Sequence, residues 1–391
     1  MGTAGGLGTA LAKPQPLVPP LTGPLLKTPA ALMAPRPDGV GVVCAVERLC
    51  RGWVEWQAPD GTRGKAAADD FGLVPQGDRI IRVRVQGLNP GTEYQVRMVA
   101  ESGDGQSVRE EGPWRKFRTL APADASTRFV VWNDTHQWND TIRKLHEITP
   151  AAADFMIWNG DTCNDWHEEE WLTPTLLHPG GCDVTAGRAV FLVWGNHDVR
   201  GKWAFKVSER VATPGGRPFY AFRSGPVAAV CLHTGEDKPD NHPSFGGRVA
   251  FEELRREQAS WLKEITARPE FRDAPYRVVF CHIPLRWTTE APALSYEKGA
   301  YDAFSRASRG QWHEALVKWG AQVVVSGHTH SPALIPANAE FPYAQLVGGG
   351  PQPDRATLIS GSADASGMNL TCRDLAGKVL HEAVFKPLRP V

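Results

Sequence analysis

Five short apolar runs in this chain each end on groups that carry a lone pair: "RFVVWNDTH", "FMIWNGD", "VFLVWGNHD", "RVVFCHIP" and "QVVVSGHTH". Their β-branched and aromatic residues suit strands covered on both faces, as in a sheet flanked by helices. One histidine past one strand is commonly a surface residue. Five strand ends carrying Asp, Asn or His form a pattern, because in open α/β sheets ligands bind outside the carboxyl ends of the strands, where residues distant in sequence converge. The convergent set is Asp134, His136, Asp161, Asn196, His282, His328 and His330.

Between these runs lie amphipathic segments, of which "FEELRREQASWLKEI" and "DAFSRASRGQWHEALVKWG" read as helices; His313 in the second is expected at the surface. Residues 121–391 are therefore expected to form one α/β domain, closed after His330 by antiparallel strands. Residues 38–120 alternate apolar and polar positions between turn signals, the texture of a small all-β sandwich. Within it, "GLNPGTEYQVRMVA" resembles the tyrosine corner of a fibronectin type III sandwich, with Tyr94 bonding back to an upstream turn. Residues 1–37 read as a proline-rich lead-in behind a possible export leader, Ala10-Leu11-Ala12 matching a cleavage pattern before Lys13. A periplasmic or secreted location follows as the expectation, with a cytoplasmic one as the alternative.

Lys plus Arg equals Asp plus Glu at 43 each, so no bulk attraction to nucleic acid or to an anionic membrane is implied. No run approaches the roughly 20 apolar residues of a membrane span. An anionic substrate must be held by a local device. The seven cysteines include no C-x-x-C pair; Cys231 and Cys281 read as core, while Cys44 with Cys50, or Cys163 with Cys182, are pairings open to an exported chain.

Three oxygen donors and four imidazoles in one crevice would be costly to desolvate without a compensating cation. Carboxylate and imidazole without thiolate suit Mn, Fe, Zn, Co or Ni. Seven donors exceed one tetrahedral ion but serve two if one carboxylate bridges. Two such ions, roughly 3.5 to 4 Å apart, clamp the attacking and leaving oxygens of an in-line displacement, which is phosphoryl chemistry. Water shared by them is hydroxide near neutral pH, so no serine or cysteine nucleophile is required.

The set D-x-H (Asp134, His136), G-D-x-x-N (Gly160 to Asn164), G-N-H-D (Gly195 to Asp198), a lone histidine after a strand (His282) and G-H-x-H (Gly327 to His330) resembles the calcineurin-like metallophosphoesterase superfamily, over roughly residues 128–335 and in the family's order. The resemblance implies a four-layer αββα domain that hydrolyses small phosphate esters, as a phosphodiesterase or a phosphomonoesterase, through a metal-bridging hydroxide. It assigns Asp134, His136, Asp161 and His330 to one divalent or trivalent ion, and Asp161, Asn196, His282 and His328 to a second. It also implies that His197 stands by the leaving group, with Asp198 orienting it. The sandwich in front is similar in layout to that of purple acid phosphatases, but Asn164 occupies the position of their iron-binding tyrosine. A colourless enzyme is therefore expected.

Beside these ligands, Asn164, Arg200 and His233 are candidates for contact with substrate, Arg200 by clamping a phosphoryl oxygen with its planar fork. Glu236 and Asp237 are candidate rim residues, and Trp166, His167, Trp203 and Trp287 candidate pocket walls. The rival expectation is a catalytically silent scaffold of the same fold. Such proteins usually lose ligands, and all seven are present here. A metallo-β-lactamase-type hydrolase is discounted because its H-x-H-x-D-H sequence is missing.

Overall fold

The computed structural model describes residues 23–69, 71–102, 108–289 and 294–391. The Ala10-Leu11-Ala12 pattern and the start of the proline-rich stretch lie outside the described residues. The five apolar runs become neighbouring parallel strands in two sheets. Thr127–Trp132, Phe155–Asn159 and Val190–Val193 lie side by side in one. Tyr276–Cys281 and Val323–Ser326 lie side by side in the other. Parallel strands end at the same edge of their sheet, so the polar residues that follow each run are delivered to one place.

The two sheets pack face to face because alternate residues point to opposite sides. Phe129 and Val131 turn inward to meet Phe155, Phe191, Val278, Phe280, Val323 and Val325. Val130 and Trp132 turn outward against Ile142 and Leu145 of the helix Asn139–Ile148. Across the molecule, Val279 and Val324 pack on Leu262, Trp312 and Leu316 of the helices Phe251–Ala267 and Ala303–Trp319. Helix, sheet, sheet, helix is the expected αββα order. Burying each such side chain contributes roughly 1.5–3 kcal/mol, so the interior holds the strand ends rigidly.

The front of the chain is a small all-β sandwich, as expected. One of its sheets is built on Cys50–Gln57 and Glu93–Ser102. The other comprises Ala31–Arg36, Gly39–Ala45 and Ile80–Val85, and Val42, Ile81, Val83, Val96, Met98 and Phe117 fill the space between them. Tyr94 accepts a hydrogen bond from the Asn89 N–H at 2.9 Å, five residues upstream.

Ala31–Arg36, expected within an extended lead-in, is instead a strand. Met33 pairs in parallel with Val190, so the sandwich strands continue the sheet of Thr127–Trp132 into one of nine strands. The reason is local: Ala31 and Met33 bury against one core while Leu32 buries against another, so both faces of a short apolar strand are covered. The junction is fastened by Arg115, which pairs with Asp183 and donates to Thr185 Oγ1 at 3.0 Å.

Neither open cysteine pairing forms, since all seven thiols are free. Cys44 Sγ donates to the Thr28 carbonyl at 3.2 Å, and Cys163 lies against Asp198, so each thiol is engaged in its own surroundings. His313 is partly buried and its Nδ1 lies 3.0 Å from the Tyr343 hydroxyl, so it is not the free surface residue expected.

Candidate metal centre

At the strand ends the chain turns abruptly. Seven non-glycine residues among those described have positive φ, and five of them are expected ligands: Asp134, His136, Asp161, His328 and His330, with φ between 44° and 69°. A left-handed conformation costs an L-residue about 1–2 kcal/mol, and such strain clusters where a site over-determines the backbone. Two glycines allow the loops to close on the ligands. A Cβ at Gly195 would sit 2.2 Å from Asp161 Oδ1, and one at Gly327 would sit 2.2 Å from Asp134 Oδ2.

The donors converge. Asp161 Oδ2 is 3.4 Å from His136 Nε2 and 3.1 Å from His282 Nε2. Asp134 Oδ1 is 3.3 Å from His330 Nε2 and 3.7 Å from His282 Nε2. Asn196 Oδ1 lies 2.8 Å from His328 Nδ1. Three groups have ligand atoms within 4.8 Å of one another: Asp134, His136 and His330; His136, Asp161 and His197; and Asp161, His282 and His328. The groups interlock through His136 and Asp161.

Second contacts aim the rings. His136 Nδ1 meets Asn164 Oδ1 at 2.9 Å and His282 Nδ1 meets the Asn159 carbonyl at 2.8 Å. This directs both Nε2 atoms inward, where they are buried and without a hydrogen-bond partner. Asp134, Asp161 and His282 are likewise almost fully shielded from water. Burial disfavours the His282 imidazolium, yet the Asp161 and Asp134 carboxylates outweigh it and hold the metal-free ring up at about 10. Buried carboxylates facing orphaned ring nitrogens satisfy the requirement for a metal ion: oxygen and nitrogen donors, convergent and in need of a cation.

The neighbours go elsewhere than the sequence suggests. Asp198 does not touch the His197 ring. Its Oδ1 accepts from the Thr162 N–H at 3.0 Å and hydroxyl at 2.6 Å, and its Oδ2 from the Gly195 N–H at 2.9 Å, so it ties two ligand loops together. Asn164 orients His136 through its Oδ1, and the side chain is otherwise exposed. Arg200 is engaged by Glu236, with Nη2–Oε2 at 3.0 Å, and by Asp237 at 2.9 Å, so its fork is already filled by carboxylates. Glu236 is fully buried; Asp237 lines the crevice. His233 is buried between Trp194 and Phe251, which takes it out of reach of a substrate. Trp287 lines the crevice and His167 a neighbouring cavity, whereas Trp166 is core and Trp203 packs against the core.

His197 stands at the wall. Its Nδ1 donates to the Asn164 carbonyl at 2.6 Å, and Arg200 Nη1 lies 3.0 Å from Nε2. Burial, and then the Arg200 charge, hold its pKa below the usual value against the pull of Asp161. Sequence reading passes over Asn133 and Asn159, which lock the two strand ends together through Asn159 Nδ2 to Asn133 Oδ1 at 3.0 Å. The signal is there, an Asn one or two residues before each Asp. It also passes over Gly350, against which the His330 ring packs, and Lys238 on the crevice wall.

Residues 127–332 match the family model described as calcineurin-like phosphoesterase, a span that contains every one of these ligands. The chain belongs to the calcineurin-like phosphoesterase family. This metallophosphoesterase is also similar to the serine/threonine-protein phosphatase CPPED1 of Pongo abelii, 23% identical over 247 residues that make up 59% of this chain and 74% of the relative. Its fold resembles that of purple acid phosphatase PPD1 from yellow lupin (Lupinus luteus) seeds, with a TM-score of 0.68, 14% identity, and coverage of 91% of this chain and 74% of the other. It likewise resembles PhoD, with a TM-score of 0.64, 13% identity, and coverage of 94% and 90%. The chain is a phosphoester hydrolase that uses divalent metal.

Proposed function

We propose that this metallophosphoesterase hydrolyses small phosphate monoesters with two metal ions, the first held by Asp134, His136, Asp161 and His330 and the second by Asp161, Asn196, His282 and His328. The single observation that carries the reading is the interlocking of three donor groups through His136 and Asp161. Monoesters are favoured because the relatives' names are those of phosphatases. Cations of this kind polarise phosphoryl oxygens and lower the pKa of water toward about 7.

The chain's own residues supply the rest. Asn164 and the Asn159 carbonyl fix the ring orientations of His136 and His282. The Asn164 carbonyl fixes the His197 tautomer with the proton on Nδ1, so Nε2, which accepts from Arg200 Nη1 at 3.0 Å while the crevice is empty, is the atom that would exchange a proton with the departing oxygen in place of that contact. Such help is typically worth about 100- to 10,000-fold. With the crevice empty, His197 is kept neutral by burial and by Arg200. An incoming phosphate anion favours its charged, proton-donating form. Asn164 in place of a phenolate donor supports a colourless enzyme.

The test is to strip the protein with a chelator, reload it with Mn, Fe, Zn, Co or Ni, and measure turnover of 4-nitrophenyl phosphate and bis(4-nitrophenyl) phosphate. Turnover with metal, greater on the monoester and abolished in His282→Ala and Asn196→Ala with the fold retained, supports the reading. Full activity in either variant defeats the ligand assignment. Absence of both bound metal and turnover establishes the silent scaffold instead.

A further inference from the structure

The metal ligands open into a crevice of about 510 Å³ that His197 and Lys238 help to line. A second cavity of about 520 Å³ shares these two residues with the first in its lining, so the two adjoin at His197 and Lys238. That volume lies within the roughly 300–1,000 Å³ of small-molecule sites. Arg200, Lys202, Lys238 and Arg248 face this cavity against one acidic side chain, Asp165. In a chain with 43 residues of each sign, this is a local gathering of cations.

These cations are not equivalent. Arg200 and Lys238 are neutralised by Glu236 and Asp237. Lys202 pairs with Glu168 at 2.8 Å, but both side chains are more than half exposed. Such a pair is worth about 0–1 kcal/mol and exchanges readily for a better anion. Arg248 is held through its Nε by the Phe245 carbonyl at 2.8 Å, and it forms no ion pair among the described residues. Its guanidinium is thus anchored at one edge, with the opposite edge available for an anion. The walls between are apolar, formed by Phe245, Val249 and Phe205, the last of which is 68% exposed.

We propose that this second cavity is the leaving-group subsite, selecting phosphate esters whose leaving group has an aromatic or short carbon spacer ending in a second anion, a carboxylate or phosphate, held by Arg248 and Lys202. The inference rests on the phosphate-ester reading above. With the phosphoryl group at the metal ligands and His197 at the join of the two cavities, the organic part of the ester is the part that extends past His197. Phe205 and Phe245 cover the spacer. Arg248 presents a planar fork to the far anion.

The test compares 4-methylphenyl phosphate with its 4-(carboxymethyl), 4-(phosphonomethyl) and neutral 4-(carbamoylmethyl) analogues on the metal-loaded enzyme. The expected result is a kcat/KM about 10- to 100-fold higher for the two anionic esters than for the methyl and amide esters, as one charge-assisted contact supplies. The advantage should shrink with added salt. It should fall toward unity in the Arg248→Ala, Lys202→Ala double variant and persist in part in Arg248→Lys. Equal kcat/KM across the four esters, or an advantage untouched by the double variant, overturns the subsite while leaving ester hydrolysis intact. No turnover of any ester with any metal overturns both. A phosphoserine peptide flanked by acidic residues that exceeds every small ester overturns the small-molecule assignment.

Discussion

Gly195→Ala isolates a steric demand that bears directly on Asp161. Gly195 has no positive φ, so alanine there carries no backbone penalty, and the effect is purely one of space. The added Cβ would stand 2.2 Å from Asp161 Oδ1 and 2.3 Å from the Asp161 nitrogen. Non-bonded heavy atoms settle about 3.5–4.0 Å apart, so the Asp161 carboxylate has to retreat by roughly 1–2 Å. A displacement of that size at a reacting centre costs on the order of 100-fold in rate. The assay is kcat/KM on 4-nitrophenyl phosphate with metal content measured on the same sample, beside Gly310→Ala as control. Gly310 lies exposed in the helix Ala303–Trp319, where an added Cβ would meet nothing within 4 Å. The control should keep full activity and gain roughly 0.5–1 kcal/mol of stability. Gly195→Ala with wild-type kcat/KM and wild-type metal content would refute the placement of Asp161 between the two ligand loops.

Metal added to chelator-treated protein should raise Tm with concentration, by an amount equivalent to about 2.7 kcal/mol at 100 times Kd; a flat Tm removes the case for a native metal site. Asp198→Asn should raise the metal Kd and lower turnover by about 10- to 100-fold, with excess metal restoring part of kcat, because the amide keeps an acceptor for Thr162 but opposes the Gly195 N–H. Loss of kcat at unchanged metal affinity contradicts the loop-tying role. Burial, and then the Arg255 charge, hold His233 down at about 3, against about 6.5 in the unfolded chain. The unfolded state binds the extra proton between those values, so this contribution to stability is lost as pH falls from about 6.5 toward 3. His233→Gln should flatten the acid limb of urea stability by one proton, and an unchanged slope places the ring in water.

The candidate ligands are legible because each lies within about four residues of the end of a buried strand, and a strand that ends at the sheet's edge has little freedom in where it puts the next two residues. Asp134, Asp161, His282 and His328 need only that rule. Arg200, Asp198 and His233 sit one step further out, where the outcome depends on which partner is nearest in space. Arg200 meets Glu236 and Asp237 from a loop 36 and 37 positions away, and Asp198 meets Thr162 from 36 positions away. The strand Ala31–Arg36 escapes for a related reason, since its partner Val190 lies far along the chain and its own composition is small and proline-flanked. The actual setting of Arg200 also shifts work within the site. With its fork filled by two carboxylates Arg200 lies against His197, and in the proposed subsite the anion falls to Arg248 and to Lys202, whose exposed pair with Glu168 is weak. Among the cations facing the adjoining cavity, Arg248 is the one without an ion-pair partner among the described residues, which is why the specificity test turns on it.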